Sequence, residues 1–215
     1  MACRLSTVIA LAGLSLSGTA QATTMVTFSG EVDSLSSGSI PGIDVGDLIS
    51  GALVFDPTTI DEQALPWIGY YPDAINDFQA TIGDQQFSLD ISPSSSEIDV
   101  INDDFLFGTY RDTMLFRVAV NETTTPGSIY FLQLTFSIAA TSPPSVLLDD
   151  TLLSMPDLDA FTTRRGFIRY FPVGASAGTN FVLTSVDVTT VPEPATLALV
   201  GLGLTGMGFV RRRMR

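Results

Sequence analysis

Asp77-Phe-Gln-Ala-Thr-Ile82, then Gly83-Asp84, then Gln85-Gln-Phe-Ser-Leu-Asp-Ile91 reads as two short strands joined by a tight turn. Apolar and polar residues alternate along each arm, and a period of two puts one set on a buried face and the other in solvent. The two-residue Gly-Asp connection suits hairpin turns whose backbone needs positive φ, a conformation that glycine enters without steric cost. A β-hairpin in the middle of the chain sets the expected class as all-β.

The same texture continues on both sides, broken by Gly, Pro, Asp and Ser. Thr24–Val32 is a first strand, residues 34–46 form a Ser/Gly/Pro loop, and Asp47–Phe55 is a second strand. Asp56-Pro57 stops that strand, since Pro has no N–H for a ladder and Asp favours a turn. Residues 61–75, with Trp67, Tyr70 and Tyr71, look like a long aromatic loop. Further strands are expected at 97–102, 105–110, 113–120, 128–139, 166–171 and 179–190, with 113–120 and 128–139 paired across Asn121–Gly127. A helical turn is expected near Met155–Phe161, and alternation makes Phe116, Phe131 and Phe136 core residues. Many short strands at close spacing predict a β-sandwich of the jelly-roll kind, in one domain over residues 23–190.

Both ends differ from this middle. Residues 1–22 open with Arg4 and run through an apolar stretch, Leu5–Leu16, to Ala20-Gln21-Ala22. That is a secretory signal peptide, an apolar helix followed by a small-residue cleavage site, so the mature chain is expected to start at Thr23. Cys3 precedes the apolar stretch and therefore is not a lipidation site. At the other end, Val191-Pro192-Glu193-Pro194 cannot continue a strand or a helix. Ala195–Val210 follows, 16 residues without charge, and then Arg211, Arg212, Arg213, Met214 and Arg215. As a single hydrophobic helix it covers about 24 Å at 1.5 Å per residue, short of a bilayer core of roughly 30 Å. It can still insert with local thinning and snorkelled arginines. The arginine cluster then stays on the cytoplasmic side, leaving the domain on the far side.

The inventory excludes several chemistries. The chain has 23 acidic and 10 basic residues. Between residues 23 and 191 lie 22 of the acids but only Arg111, Arg117, Arg164, Arg165 and Arg169, a net charge of −17 for the expected mature segment. Such a surface repels phosphate backbones, so no nucleic-acid partner is expected. There is no His or Lys, and the only Cys is in the leader. A histidine-dependent triad, a thiol nucleophile, a Schiff-base lysine and a His/Cys zinc site are all excluded.

Pro192-Glu193-Pro194, Ala195–Val210 and Arg211–Arg215 together resemble the PEP-CTERM sorting signal of Gram-negative, biofilm-forming bacteria. The three parts match in order and spacing, and the signal peptide that such proteins require is present. The resemblance implies recognition by an exosortase, a membrane protease-transpeptidase, with processing near the Pro-Glu-Pro element. It also implies transit to the cell surface or the exopolysaccharide matrix, after passage through the secretion machinery and signal peptidase. A permanent tail anchor is the alternative. More loosely, Val26–Val32, Gly46–Pro57 and the Gly83-Asp84 hairpin resemble the uncharacterised β-rich domains common in proteins with this tail, which implies no activity.

Within the domain the candidate sites are three. Asp44/Asp47, Asp56/Asp61/Glu62, Asp99/Asp103/Asp104 and Asp149/Asp150 lie in or beside expected loops, and Asn102-Asp103-Asp104 is the densest set. Hard cations want oxygen ligands of this kind, so a structural Ca²⁺ is one reading and solvated turns are the other; no further cofactor is expected. Trp67, Tyr70 and Tyr71 are a candidate sugar-stacking group in a loop that a ligand can reach, with Tyr110, Tyr130 and Tyr170 as the remaining tyrosines. Arg164, Arg165 and Arg169 are the one local cationic region, suited to salt bridges or to an acidic polysaccharide. Paired carboxylates can run glycoside hydrolysis, but no local signature singles out two. The reading that follows is a non-enzymatic surface or matrix protein of structural or adhesive role. A carbohydrate-binding module is the alternative, and a glycan-active hydrolase the third.

Overall fold

The computed structural model describes residues 22–36, 38, 40–63, 65–90, 96–106, 108–122, 129–140, 144, 146–152, 155–170 and 177–191. The expected leader helix (1–21), the Pro192-Glu193-Pro194 motif, the helix over 195–210 and the Arg211–Arg215 cluster lie outside the described residues. Ten strands form, β1 (Thr23–Leu35), β2 (Leu48–Phe55), β3 (Ile68–Pro72), β4 (Ile75–Ile82), β5 (Gln85–Leu89), β6 (Ser96–Leu106), β7 (Thr109–Glu122), β8 (Ile129–Ala140), β9 (Thr163–Tyr170) and β10 (Ala177–Val191).

Every ladder is antiparallel. Eight strands close on themselves in the order β1, β2, β4, β5, β7, β8, β9, β10 and back to β1. The all-β expectation stands, but the jelly-roll sandwich does not: the strands make a closed barrel. The closing contact is β7, which pairs with β8 along one edge and shares its other edge between β5 and β6. A sandwich and a barrel bury one face of each strand alike, so alternation does not distinguish them. The distinction lies in non-local pairing. Closure removes the free backbone edges from the wall except along β10 beyond Val182, and eight strands leave an interior that side chains fill.

Phe28, Phe55, Phe78, Phe116, Phe136 and Phe181 fill it, each at most 4% exposed. Phe116 meets Phe55 at 6.0 Å and Phe136 edge-on at 5.9 Å between ring centroids, the offset geometries that aromatic quadrupoles prefer. Gly166 on β9 admits the Phe181 ring, because a Cβ there would stand 2.2 Å from it. The connections at the two ends supply plugs. Ile40 and Ile43 come from the link between β1 and β2, and Leu147, Leu152, Leu158 and Phe161 from the link between β8 and β9. The helical turn expected near 155–161 is a single 3-10 turn, Leu158–Ala160, capped by the Asp157 carboxylate.

Three local expectations need correction. The stretch 61–75 is not all loop, since β3 pairs with β6. The strands expected at 97–102 and 105–110 are divided elsewhere: β6 runs through to Leu106 with a bulge between Ile101 and Asp104, and β7 starts at Thr109 beyond Gly108 (φ 84°). Phe131 is 51% exposed on the outer wall. Residues 131 and 136 are an odd number apart, so a regular strand cannot bury both.

Candidate functional site

The end of the barrel where the chain enters and leaves carries the first feature. Thr23 pairs with Val191 and Thr24 with Thr190, so the first residue expected after the leader and the last residue before Pro192 share one rung. Beside them lies a groove of about 670 Å³ lined by Ala22, Thr24, Pro57, Asp157, Asp187 and Thr190 among others.

The aromatic group does not act as one surface. Trp67 is 46% exposed in the turn before β3. Tyr70 and Tyr71 are neighbours on β3 and point to opposite faces. Tyr70 is half-buried, and its hydroxyl donates to Glu97 Oε2 at 3.2 Å. Burial, and then the nearby Glu97 charge, raise its pKa. Tyr71 is buried and donates to the backbone oxygen of Asp150 at 2.6 Å. Burial first, then the charges of Asp61, Asp150 and Asp149, push it up to about 12. It is a packing residue that pins the 146–152 segment.

The acidic candidates are mostly engaged in local structure. Asp47 accepts the Asp44 N–H, Asp56 the N–H and hydroxyl of Thr58, Asp61 the N–H groups of Gln63 and Tyr70, and Asp149 the N–H and hydroxyl of Thr151. Asn102, Asp103 and Asp104 sit on the β6 bulge, where Asp103 takes φ 54°. The Asp103 N–H donates to Asp112 Oδ1 at 3.0 Å, and the Leu147 N–H donates to Asp112 Oδ2 at 3.0 Å. Asp112 is fully buried and clamps bulge and plug together, a role invisible in the sequence because its partners are backbone groups 9 and 35 residues away. The Asn102 side-chain oxygen is buried with no hydrogen-bond partner. Among the described residues no group of three or more His, Cys, Asp or Glu is placed to hold a metal ion.

The outer wall carries a charged row. Glu97, Arg117, Gln133, Phe167, Asn180 and Ser34 are consecutive cross-strand partners from β6 to β1. Arg117 pairs with Glu97 and, at 2.6 Å, with Asp99, while its Nε donates to Gln133 at 3.0 Å. The two partners respond differently. Burial opposes the Arg117 charge, but the bonds to Glu97 and Asp99 outweigh it and raise its pKa. Burial also raises Asp99, and Arg117 offsets that only in part because Glu97 adds repulsion. Arg117 thus bridges both carboxylates. Farther round the wall Arg169 lies over the Phe167 ring at 4.7 Å, opposite exposed Phe131, and Arg164 pairs with Asp159. Arg165 is exposed and has no ion pair among the described residues.

In the sequence, the last strand of this acidic closed barrel is followed directly by Pro192-Glu193-Pro194, a candidate sorting address. That address is matched by the family model for the PEP-CTERM protein-sorting motif, over residues 190–213. The chain is thus an exported protein whose C-terminal signal anchors it in the membrane until an exosortase processes it. No curated protein and no solved structure matches the chain.

Proposed function

We propose that the barrel is a non-catalytic cargo that the exosortase releases to the cell surface or the extracellular matrix, where it has a structural or adhesive role. The observation that carries this reading is the sorting motif beginning where the last strand of a closed, acidic barrel ends. Supporting it, the carboxylates singled out in the sequence are largely occupied with turns, a bulge and surface ion pairs. The test is the intact mass and location of the protein from an exosortase-bearing host, beside a chain in which Pro192 and Pro194 are both replaced. Release from the membrane with loss of the Arg211–Arg215 tail, abolished in the variant, is expected. A wild-type mass that keeps the tail overturns the reading and makes the tail a permanent anchor.

A second reading is favoured by one specific surface, and it differs from the aromatic loop expected to bind sugar. Phe131, Phe167, Arg165 and Arg169 lie together on the outer faces of β8 and β9, joining aromatic faces to guanidinium groups. A shallow depression of about 360 Å³ beside them includes Asn180 and Ser34. Aromatic rings stack on sugar C–H faces and guanidinium forks suit carboxylates, so an acidic polysaccharide is the ligand chemistry that fits. Salt-sensitive retention on such a polymer, lost in Arg165→Ala, supports this reading; equal retention of wild type and variant rejects it.

A further inference from the structure

We propose that the barrel end built by the first rungs of β1 and the last rungs of β10, with the open flank of β10 beside it, is the surface that docks on the exosortase. The last rungs must part before Pro192-Glu193-Pro194 can enter that enzyme. This rests on the sorting reading above and adds where and how the folded domain meets the processing machinery.

The first reason is the absence of slack. Pairing between β1 and β10 continues to Thr23 and Val191, so the ladder holds the chain up to the residue before Pro192. Only residues 192–194 separate that rung from the apolar stretch beginning at Ala195. Three extended residues reach about 10 Å at most. While the tail is anchored, this barrel end stands against the membrane surface, and any enzyme that handles the motif meets it there.

The second reason is the state of the backbone. Enzymes that bind a peptide in extended form pair with its N–H and C=O groups. Residues whose groups are already in a ladder cannot offer them to a second partner. Just before the motif, the groups that face β1 are in that position as long as the rungs hold, and only those on the other edge of β10 stay available.

The third reason is that these rungs are built to open. β9 pairs with β10 only from Ala177 to Val182, so from Leu183 onward β10 has β1 as its sole strand neighbour among the described residues. Thr189, Thr190 and Val191 are exposed, whereas β1 stays held on its other side by β2, from Thr24↔Phe55 onward. Peeling the end of β10 therefore costs little apolar burial and leaves the wall standing. At this end of β10, residues 186–188 and Thr190 line the groove with Thr24, Pro57 and the 155–159 segment. Asp157 and Asp187 make it anionic, with Asp159 already paired to Arg164, so it disfavours a folded-back Glu193 and favours cationic side chains of the enzyme.

The test is a disulfide staple across Thr24 and Thr190, in the full chain, expressed in an exosortase-bearing host. Facing residues in an antiparallel pair have Cα atoms roughly 4.5–5.5 Å apart, within the range a disulfide accepts. The only native cysteine is Cys3, in the leader, so the pairing is unambiguous. Processing of the stapled chain, followed by pulse-chase and mass, should be slower than wild type by at least about tenfold, and reduction should restore it. A six-residue Gly-Ser insertion between Val191 and Pro192 should restore processing with the staple intact and speed it in the wild type. An oxidised chain processed at the wild-type rate overturns the proposal. If even the inserted, unstapled chain keeps its tail, the sorting reading fails, and the proposal with it. Asp187→Arg is a second variant: slower processing at an unchanged melting temperature supports docking at this groove, and an unchanged rate removes the groove from the surface.

Discussion

The barrel wall and the β3–β6 flap are made of the same kind of strand but are held by different forces. In β1 exposure alternates residue by residue from Thr23 to Gly30, and the inward side chains reach the common core. The flap is a five-residue edge strand on a bulged partner. It also buries Tyr71, Ile98 and Val100, yet much of its hold is polar: Tyr70 N–H to Asp61, Asn102 N–H to the Trp67 carbonyl, Tyr71 to the Asp150 carbonyl, and Arg117 to Glu97 and Asp99. Apolar burial scales with area and tolerates changes of pH and salt, whereas hydrogen bonds and half-exposed ion pairs give small net terms that depend on both partners. The wall should therefore set global stability and the flap should open locally.

The sharpest way to break that distinction is a truncation on the two faces of one wall strand. Phe136→Ala removes a fully buried ring that meets Phe116 and Phe161 and should cost about 3–5 kcal/mol. Phe131→Ala on the outer face of the same strand should change stability by about 0.5 kcal/mol or less. Urea unfolding of both variants checks this. Equal losses would mean that the wall is not the packed interior described above.

Next in size is the clamp that joins flap to plug. Asp112→Ala leaves the N–H groups of Asp103 and Leu147 without their acceptor, at about 1–3 kcal/mol for each that stays dry. Amide hydrogen exchange should speed first in residues 96–106 and around Leu147, with β1 and β10 near their wild-type protection. Uniform loss across the barrel would show that the flap is part of the same cooperative unit as the wall.

The same contrast explains what could be read from the sequence. The Gly83-Asp84 hairpin, β1, β2 and the β7–β8 pair were legible because a local turn or an uninterrupted alternation specifies each one. β3 was not, because Pro66, Gly69 and Pro72 punctuate it and its ladder is supplied by β6, some thirty residues on in the chain. Asp103 and Asp104 look like a strand break and are a bulge, held open by Asp112. The Trp67, Tyr70 and Tyr71 group dissolved for a similar reason: residues adjacent in a loop share a surface, whereas Tyr70 and Tyr71 on a strand cannot. Barrel closure depends on β7 meeting both β5 and β8, and the non-local β5–β7 pairing leaves no periodic trace. The sorting tail was the most legible part, since its information is linear.

The smallest expected effect is the most discriminating about the flap's electrostatics. Asp99 has a raised pKa, from burial first and with Glu97 adding to it, against the pull of Arg117. A carboxyl that holds its proton more tightly in the folded chain than in the unfolded one favours the fold when protonated. Its contribution is therefore unfavourable at neutral pH and is relieved as pH falls through the raised folded-state value. Asp99→Asn imitates the protonated state, so it should match or exceed wild-type stability at pH 7, by about 0–1 kcal/mol for a partly exposed network. That advantage should disappear in acid, where wild-type Asp99 is itself neutral. Paired urea titrations at pH 7 and in acid measure the gap. An Asp99→Asn chain less stable than wild type at pH 7, with the deficit closing in acid, would mean that the Arg117 pair governs Asp99 rather than burial, and the flap would then be held by its charges in the way the wall is held by its rings.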